Sequence, residues 1–306
     1  MEITIIWFPK GVSRIRYGRY KEFKMKISVT SYSFQQYLNA GKIDHLGMIE
    51  KAHEIGIDAM EYTPLPGETF EERCELAKRI REKADSLGMP IASHTVAADL
   101  YKGSPEADAA EVERIKRQLD VAKILGAPVL RHDVCWSLPK TGAVRSFDQM
   151  LPTLAKNARE ITEYAASLGI RTCSENHGHI AQDSDRMERL FNAVNHENYG
   201  LLVDIGNFAC VDENNVTAVS RVAPYAVHVH AKDFHFSSEK QEGWFQTRGC
   251  NYLKGAILGE GIVDVKKCID VIKRVGYDGY VSIEFEGSED CIEGITKGYE
   301  YLRSIL

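Results

Sequence analysis

No apolar run in the chain approaches the roughly 18 residues that a membrane-spanning helix needs. An excess of positive charge is also missing: 38 Lys and Arg against 44 Asp and Glu leave a net charge of -6. That balance gives no electrostatic footprint for nucleic acid or an anionic membrane and suits a small neutral or weakly anionic ligand. The 7 cysteines are odd in number and contain no Cys-x-x-Cys pair. They predict reduced thiols and a cytoplasmic protein rather than a disulfide framework. Low-complexity segments and a Pro- or Gly-rich linker are absent as well, so no domain boundary interrupts the chain. The N-terminus lacks the order of a signal peptide, because its short apolar piece, Ile3 to Phe8, precedes the basic Lys10, Arg14, Arg16 and Arg19.

What is present is a regular alternation that starts at Met25. Residues 1–24 are therefore set apart as an N-terminal extension, and residues 25–306 are read as one catalytic domain. Eight short apolar segments predict strands: Ile27 to Thr30, Ala59 to Tyr62, Pro90 to His94, Val129 to His132, Arg171 to Glu175, Leu201 to Asp204, Ala226 to His230 and Val281 to Glu284. Between them, stretches such as Thr69 to Leu87, Glu106 to Leu125, Ser146 to Leu168 and Asp264 to Val275 carry apolar residues at helical spacing. An apolar residue followed by glycine recurs at Ile55-Gly56, Leu87-Gly88, Leu125-Gly126, Leu168-Gly169 and Val275-Gly276, where a left-handed residue stops a helix before the next strand. Eight strand–helix units predict an α/β fold, a single (β/α)8 TIM barrel. The longest interruption, from Lys232 to Leu258, is expected to cover the site as a lid or binding loop.

Four polar residues fall at the ends of successive predicted strands: Glu175, Asp204, His230 and Glu284. A parallel barrel gathers its strand ends on one face, so these residues are read as one metal site. Each alone has an ordinary explanation, such as capping a helix or satisfying a core network. Together, three carboxylates would be costly to bury without a cation. The donor set suits one divalent ion, Mn²⁺ first, with Mg²⁺, Co²⁺ or Zn²⁺ as alternatives. Of His228 and His230, we expect only one to face the barrel centre. His230 is chosen because it lies nearer the carboxyl end, and His228 is assigned to the outer layer. Glu286 lies on the same side of its segment as Glu284 and is the main rival for the fourth ligand.

Several motifs resemble one family when taken in order. They are Ser-Glu-Asn-His-Gly (174–178), Gly-Leu-Leu-Val-Asp-Ile-Gly-Asn (200–207), His-Val-His-Ala-Lys-Asp (228–233), Leu-Gly-Glu-Gly-Ile-Val-Asp (258–264) and Gly-Tyr-Asp-Gly-Tyr-Val-Ser-Ile-Glu-Phe-Glu-Gly (276–287). From Met25 onward the chain resembles the sugar phosphate isomerase/epimerase superfamily, the xylose isomerase-like barrels that include tagatose-type epimerases, inosose-metabolising enzymes and endonuclease IV. The resemblance implies that Glu175, Asp204, His230 and Glu284 hold one metal and that Glu175 and Glu284 form the proton-transfer pair. It implies a divalent-metal-dependent isomerase or epimerase of a sugar, sugar derivative or cyclitol. The reaction would remove a proton next to a carbonyl, and the cation would stabilise the resulting enediolate.

Asn207 departs from the family pattern, because the nucleases and many epimerases carry histidine there. The nucleases use several histidines to hold three zinc ions, and His94 and His132 stand where two of that set would fall. Asn207 and the acidic charge together argue against DNA cleavage.

His94 and His132 end predicted strands and are expected in the cup, His132 as a candidate general base and His94 as a substrate contact. The alternative is a polar network with Arg131 or Asp133 that holds loops. Lys232 would neutralise an anionic substrate group or pair with Asp233, and Asn207 is a further substrate contact. Trp136, Phe234, Trp244 and Phe245 offer flat faces on which a sugar can stack or with which a lid can seal. Gly259-Glu260-Gly261 is read as no phosphate cradle because no strand is expected to lead into it, and Asp264 should cap the next helix.

The competing reading is a lyase or dehydratase on the same scaffold, including the C-glycoside-cleaving subunits that act on 3-keto-glycosides with a histidine base and bind a small partner subunit. The expected partner is otherwise a carbohydrate, with no nucleic acid and no membrane, and barrels of this kind often form homo-oligomers. A non-catalytic sugar-binding module would be expected to have lost a ligand, and all four are present.

Overall fold

The computed structural model describes residues 25–138 and 144–306, so the expectation for residues 1–24 lies outside the described residues. The strands are β1 (Lys26–Thr30), β2 (Ala59–Tyr62), β3 (Ile91–Val96), β4 (Val129–His132), β5 (Arg171–Glu175), β6 (Tyr199–Asp204), β7 (Ala226–Ala231), β8 (Asp233–Ser237), β9 (Phe245–Gln246), β10 (Tyr252–Ala256) and β11 (Tyr280–Ile283). The helices are α1 (Gln35–Asn39), α2 (His45–Ile55), α3 (Phe70–Ser86), α4 (Pro105–Leu125), α5 (Phe147–Leu168), α6 (Ser184–Val194), α7 (Asn215–Val222), α8 (Val265–Arg274) and α9 (Cys291–Ile305). Strands β1 to β7 and β11 close into a barrel in sequence order, with every pairing parallel. All eight predicted strands are present, and Glu284 lies one residue beyond the end of β11.

Helix boundaries follow local chemistry. Thr69 and Glu72 form a reciprocal capping box at the start of α3, and Ser104 caps α4 just ahead of Pro105. Asp264 caps α8 by accepting from the Lys267 backbone N–H at 3.1 Å, as the sequence predicts. Apolar faces of these helices pack on the outward side of the strands, where Met60, Leu130 and Val203 are buried. No helix among the described residues is long and apolar enough to cross a membrane.

The long interruption after β7 is a small antiparallel sheet rather than an irregular loop, with strand order β8-β10-β9. Asp233 pins its far end: its carboxylate accepts backbone N–H groups from Phe234 (2.8 Å), Gly259 (3.0 Å), Gly261 (2.9 Å) and Val263 (3.0 Å). A strand, β10, therefore does lead toward Gly259, contrary to expectation, but the two glycine amides are taken by Asp233. Gly261 allows this approach, since a Cβ there would lie 2.2 Å from Asp233 Oδ1.

Candidate active site

Strand alternation decides which side chains enter the barrel. The register sets Arg131 beside Thr95, Asp204 beside His230, and His230 beside Ser282, one face being shared around the ring. On that inward face the ligand atoms of Glu175, Asp204, His230 and Glu284 all lie within 4.8 Å of one another. His230 Nδ1 is 3.5 Å from Glu284 Oε2, 3.8 Å from Glu175 Oε1 and 4.0 Å from Asp204 Oδ2. Asp204 Oδ1 is anchored by the backbone N–H groups of Gly206 (2.7 Å) and Asn207 (3.0 Å), which leaves Oδ2 turned toward the cluster. Asp204 Oδ2 and His230 Nδ1 are buried and make no hydrogen bond. Two orphaned acceptors beside two further carboxylates fit a hard divalent cation, so this cluster can hold a metal ion.

Lys232 is buried among the same carboxylates. Its Nζ lies 2.5 Å from Glu284 Oε2, 3.4 Å from Glu286 Oε1 and 3.5 Å from Asp204 Oδ2. It does not pair with Asp233, whose carboxylate serves the loop amides. Burial opposes the charge of Lys232, but Glu284 and its neighbours outweigh it and hold the ammonium well above its usual range. Burial would likewise raise Glu284, yet Lys232 and His230 bring its carboxyl below the ordinary carboxylate range. Glu286 lines the cavity beside Lys232 and stands outside the four-residue cluster.

A second charged group sits on the opposite side. Arg131 reaches Asp133 Oδ1 at 2.7 Å and Glu175 Oε2 at 2.5 Å, all three residues being buried. Asn207 donates to the other oxygen of Glu175 at 2.9 Å. Burial dominates at Glu175 and pushes its carboxyl up to about 7 despite Arg131 and His230. Asp133 Oδ1 also lies 3.0 Å from His177 Nδ1. Burial works against the His177 charge, but the Asp133 hydrogen bond prevails and raises its pKa. The Trp136 ring packs edge-on against His177 with centroids 4.9 Å apart.

These groups line a cavity of about 430 Å³ that includes Thr95, Arg131, Trp136, His177, Lys232 and Glu284. A smaller cavity of about 210 Å³ adjoins it, shares Trp136, His177 and Lys232, and is walled by Phe234 and Phe245 from the small sheet. Asn207 lines this smaller space. The expected lid thus forms part of the site wall.

Three histidines are not where the sequence reading put them. His94 faces outward: its ring bonds the Tyr62 carbonyl oxygen at 2.9 Å and Gln118 of α4 at 3.1 Å. His132 also faces away from the cup, with Nδ1 2.7 Å from the Asp133 carbonyl oxygen, and burial lowers its pKa to about 4. Each is one residue out of step with an inward neighbour, Thr95 and Arg131 respectively. His228, assigned to the outer layer, points inward with His230. Residues two apart on a strand share a face, and both rings bond Glu61: His228 Nε2 at 2.6 Å and His230 Nε2 at 2.9 Å.

Arg131, Asp133, His177 and Glu61 are the residues that sequence reasoning left without an active-site role. The signal for His177 was its position two residues beyond Glu175, and for Arg131 its position one residue before the end of β4.

The family model for the xylose isomerase-like TIM barrel matches residues 49–305. The chain belongs to that family. Among relatives, it is 24% identical over 165 residues to an inosose dehydratase of Histophilus somni, covering 50% of this chain and 54% of that protein. The match thus spans about half the length of that relative. A structure from Bacillus anthracis, described as a probable 3-DHS dehydratase involved in petrobactin synthesis, superposes with a TM-score of 0.72 at 17% identity and covers 91% of this chain and 99% of that one. The apo 3-keto-D-glucoside 4-epimerase of E. coli gives a TM-score of 0.68 at 17% identity, with coverage of 92% and 100%. At such identity the structural matches establish the fold.

Proposed function

We propose that this family member is a divalent-metal-dependent isomerase or epimerase of a sugar, sugar derivative or cyclitol, acting by proton transfer at a carbon next to a carbonyl. The observation that carries the proposal is the convergence of Glu175, Asp204, His230 and Glu284 beside a cavity of about 430 Å³. These four residues would hold the ion, with Mn²⁺ the first to test and Mg²⁺, Co²⁺ and Zn²⁺ as alternatives. Bound there, a divalent cation supplies positive charge for the oxyanion that develops as the proton leaves. Trp136 offers the sugar an apolar face, and Lys232 and Asn207 offer donors. Seven unpaired cysteines suit a reducing compartment, and we place the protein in the cytoplasm.

The proton-transfer groups we assign are Glu284 and His177. Glu175 is held on one oxygen by Arg131 and on the other by Asn207, so the acceptor capacity left to it is assigned to the ion rather than to proton transfer. His177, by contrast, is oriented through Nδ1 by Asp133 and lines both cavities. The same His177–Asp133 pair supports a second reading, a dehydratase or other lyase. A protonated imidazole can deliver its proton to a departing hydroxyl or glycosidic group after the carbon acid ionises.

A single assay in D₂O with the Mn²⁺-loaded protein and a panel of ketoses, inososes and 3-keto-glycosides tests both readings. Deuterium at the carbon of a recovered epimer or isomer supports the first, and loss of water or aglycone supports the second. No exchange and no turnover across the panel, with metal bound, would sink the proposal.

A further inference from the structure

Glu61 lies at the inner end of β2, fully buried, and its carboxylate is shared among three donors. Oε1 accepts from Thr95 Oγ1 at 2.6 Å and meets His230 Nε2 at 2.9 Å, while Oε2 meets His228 Nε2 at 2.6 Å. Strands β1 and β11 stand between β2 and β7 in the barrel order, so this carboxylate meets the two histidines across the interior, while Thr95 comes from the paired strand β3. None of the three partners reaches the substrate cavity from this side except Thr95, which lines it.

We propose that Glu61 is a positioning residue for His230, and that His228 and Thr95 hold Glu61 in that role. The inference rests on the metal reading above. An ionised carboxylate can only accept, so both rings must present Nε2–H to it. An imidazole held at Nε2 has a fixed axis, and its Nδ1 lone pair then points the other way. For His230 that direction is the four-residue cluster, where Nδ1 lies 3.5 Å from Glu284 Oε2 and makes no hydrogen bond. Carboxylates behind a ligating histidine fix its tautomer and raise its basicity.

His228 explains why the arrangement is rigid. Without it, Glu61 Oε2 would be a buried lone acceptor, and the carboxylate could rotate about its last torsion and release His230. With it, two histidines two residues apart on β7 grip the two oxygens of one carboxylate, and Thr95 from β3 braces the shared oxygen. The trio Glu61, His228 and His230 could itself be read as ligands of an ion. The contacts of 2.6 and 2.9 Å are hydrogen-bond lengths, whereas two ligand atoms on a common ion, each about 2 Å from it, stand roughly 3 Å or more apart.

Calorimetric titration of the chelated full-length protein with Mn²⁺, paired with the visible spectrum of the Co²⁺ form, tests the proposal in the wild type and in Glu61→Gln. The glutamine keeps the shape but offers one acceptor oxygen and turns an NH₂ toward a ring N–H. We expect one ion per chain in both proteins, an affinity about 10- to 100-fold weaker in the variant, and an altered Co²⁺ spectrum. A residue that served packing alone would lower the melting temperature and leave affinity and spectrum unchanged, and that result would overturn the proposal. Two ions in the wild type with one lost in Glu61→Gln would also overturn it, because Glu61 would then be a ligand. No ion in the wild type would remove the metal reading and this inference together, whereas equal tight binding in both proteins would remove the inference alone. Should Glu61→Gln fail to fold, His228→Gln carries the same test: weaker binding supports the proposal and unchanged binding defeats it.

Discussion

Arg131→Met is the substitution with the largest consequence that can be worked from the geometry. One guanidinium pairs with two buried carboxyl groups, Asp133 at 2.7 Å and Glu175 at 2.5 Å, and each of them is 2% exposed. Removing one partner of a buried ion pair leaves an uncompensated charge and costs about 3–5 kcal/mol. Here Asp133 keeps only His177 as a partner, and Glu175, already raised to about 7, can take up a proton, so a loss within that range is expected, and methionine fills most of the vacated volume. At 2–4 °C per kcal/mol for a large domain, the melting temperature should fall by roughly 10 °C or more.

The pH dependence gives the sharper check. In the wild type, burial pushes Asp133 up but Arg131 and His177 pull it below its usual value. A carboxyl with a depressed folded pKa contributes stability above its unfolded pKa and loses it as pH falls through the folded one. In Arg131→Met the largest opposing charge is gone, burial prevails, and the folded state binds protons more tightly than the unfolded chain. The deficit of the variant should therefore shrink as pH falls from 8 to 6 and grow as it rises. Urea unfolding of both proteins in the presence of chelator, at those two pH values, measures it. A loss below about 1 kcal/mol, or a deficit that does not change with pH, would refute the argument that Arg131 is the charge on which these carboxylates depend.

Three further outcomes are expected. His177→Gln should reduce turnover by about 10²- to 10⁴-fold while leaving Mn²⁺ affinity within a few-fold of wild type. Asp133→Asn, which removes the group that raises the His177 pKa, should move the corresponding limb of the kcat/KM profile to lower pH; an unmoved limb would exclude the dyad. Gly261→Ala should destabilise by about 1–3 kcal/mol, because the new Cβ would lie 2.2 Å from Asp233 Oδ1 and 2.4 Å from the Phe234 carbonyl oxygen. Thermal melting checks this, and a variant as stable as wild type would show that Asp233 does not hold the Gly259–Gly261 turn as described.

The barrel was legible in the sequence because its signals are local. Apolar segments of four or five residues, helices with a capping residue at one end and in five places glycine at the other, and an eightfold alternation of strand and helix require no knowledge of what lies across the molecule. Glu175, Asp204, His230 and Glu284 could be grouped for the same reason, since parallel topology alone sends strand ends to one face. Which side of each strand faces inward was decided only by tertiary structure. Barrel strands are buried on both faces and carry no alternation of apolar and polar residues to mark the inside. His94 and His132 therefore stand one step out of phase, bonded to helix and backbone, while Arg131 and Thr95 take the inward places. His228, two residues from His230, shared its face by strand geometry, but its partner Glu61 is 167 residues away and meets it only because the barrel closes.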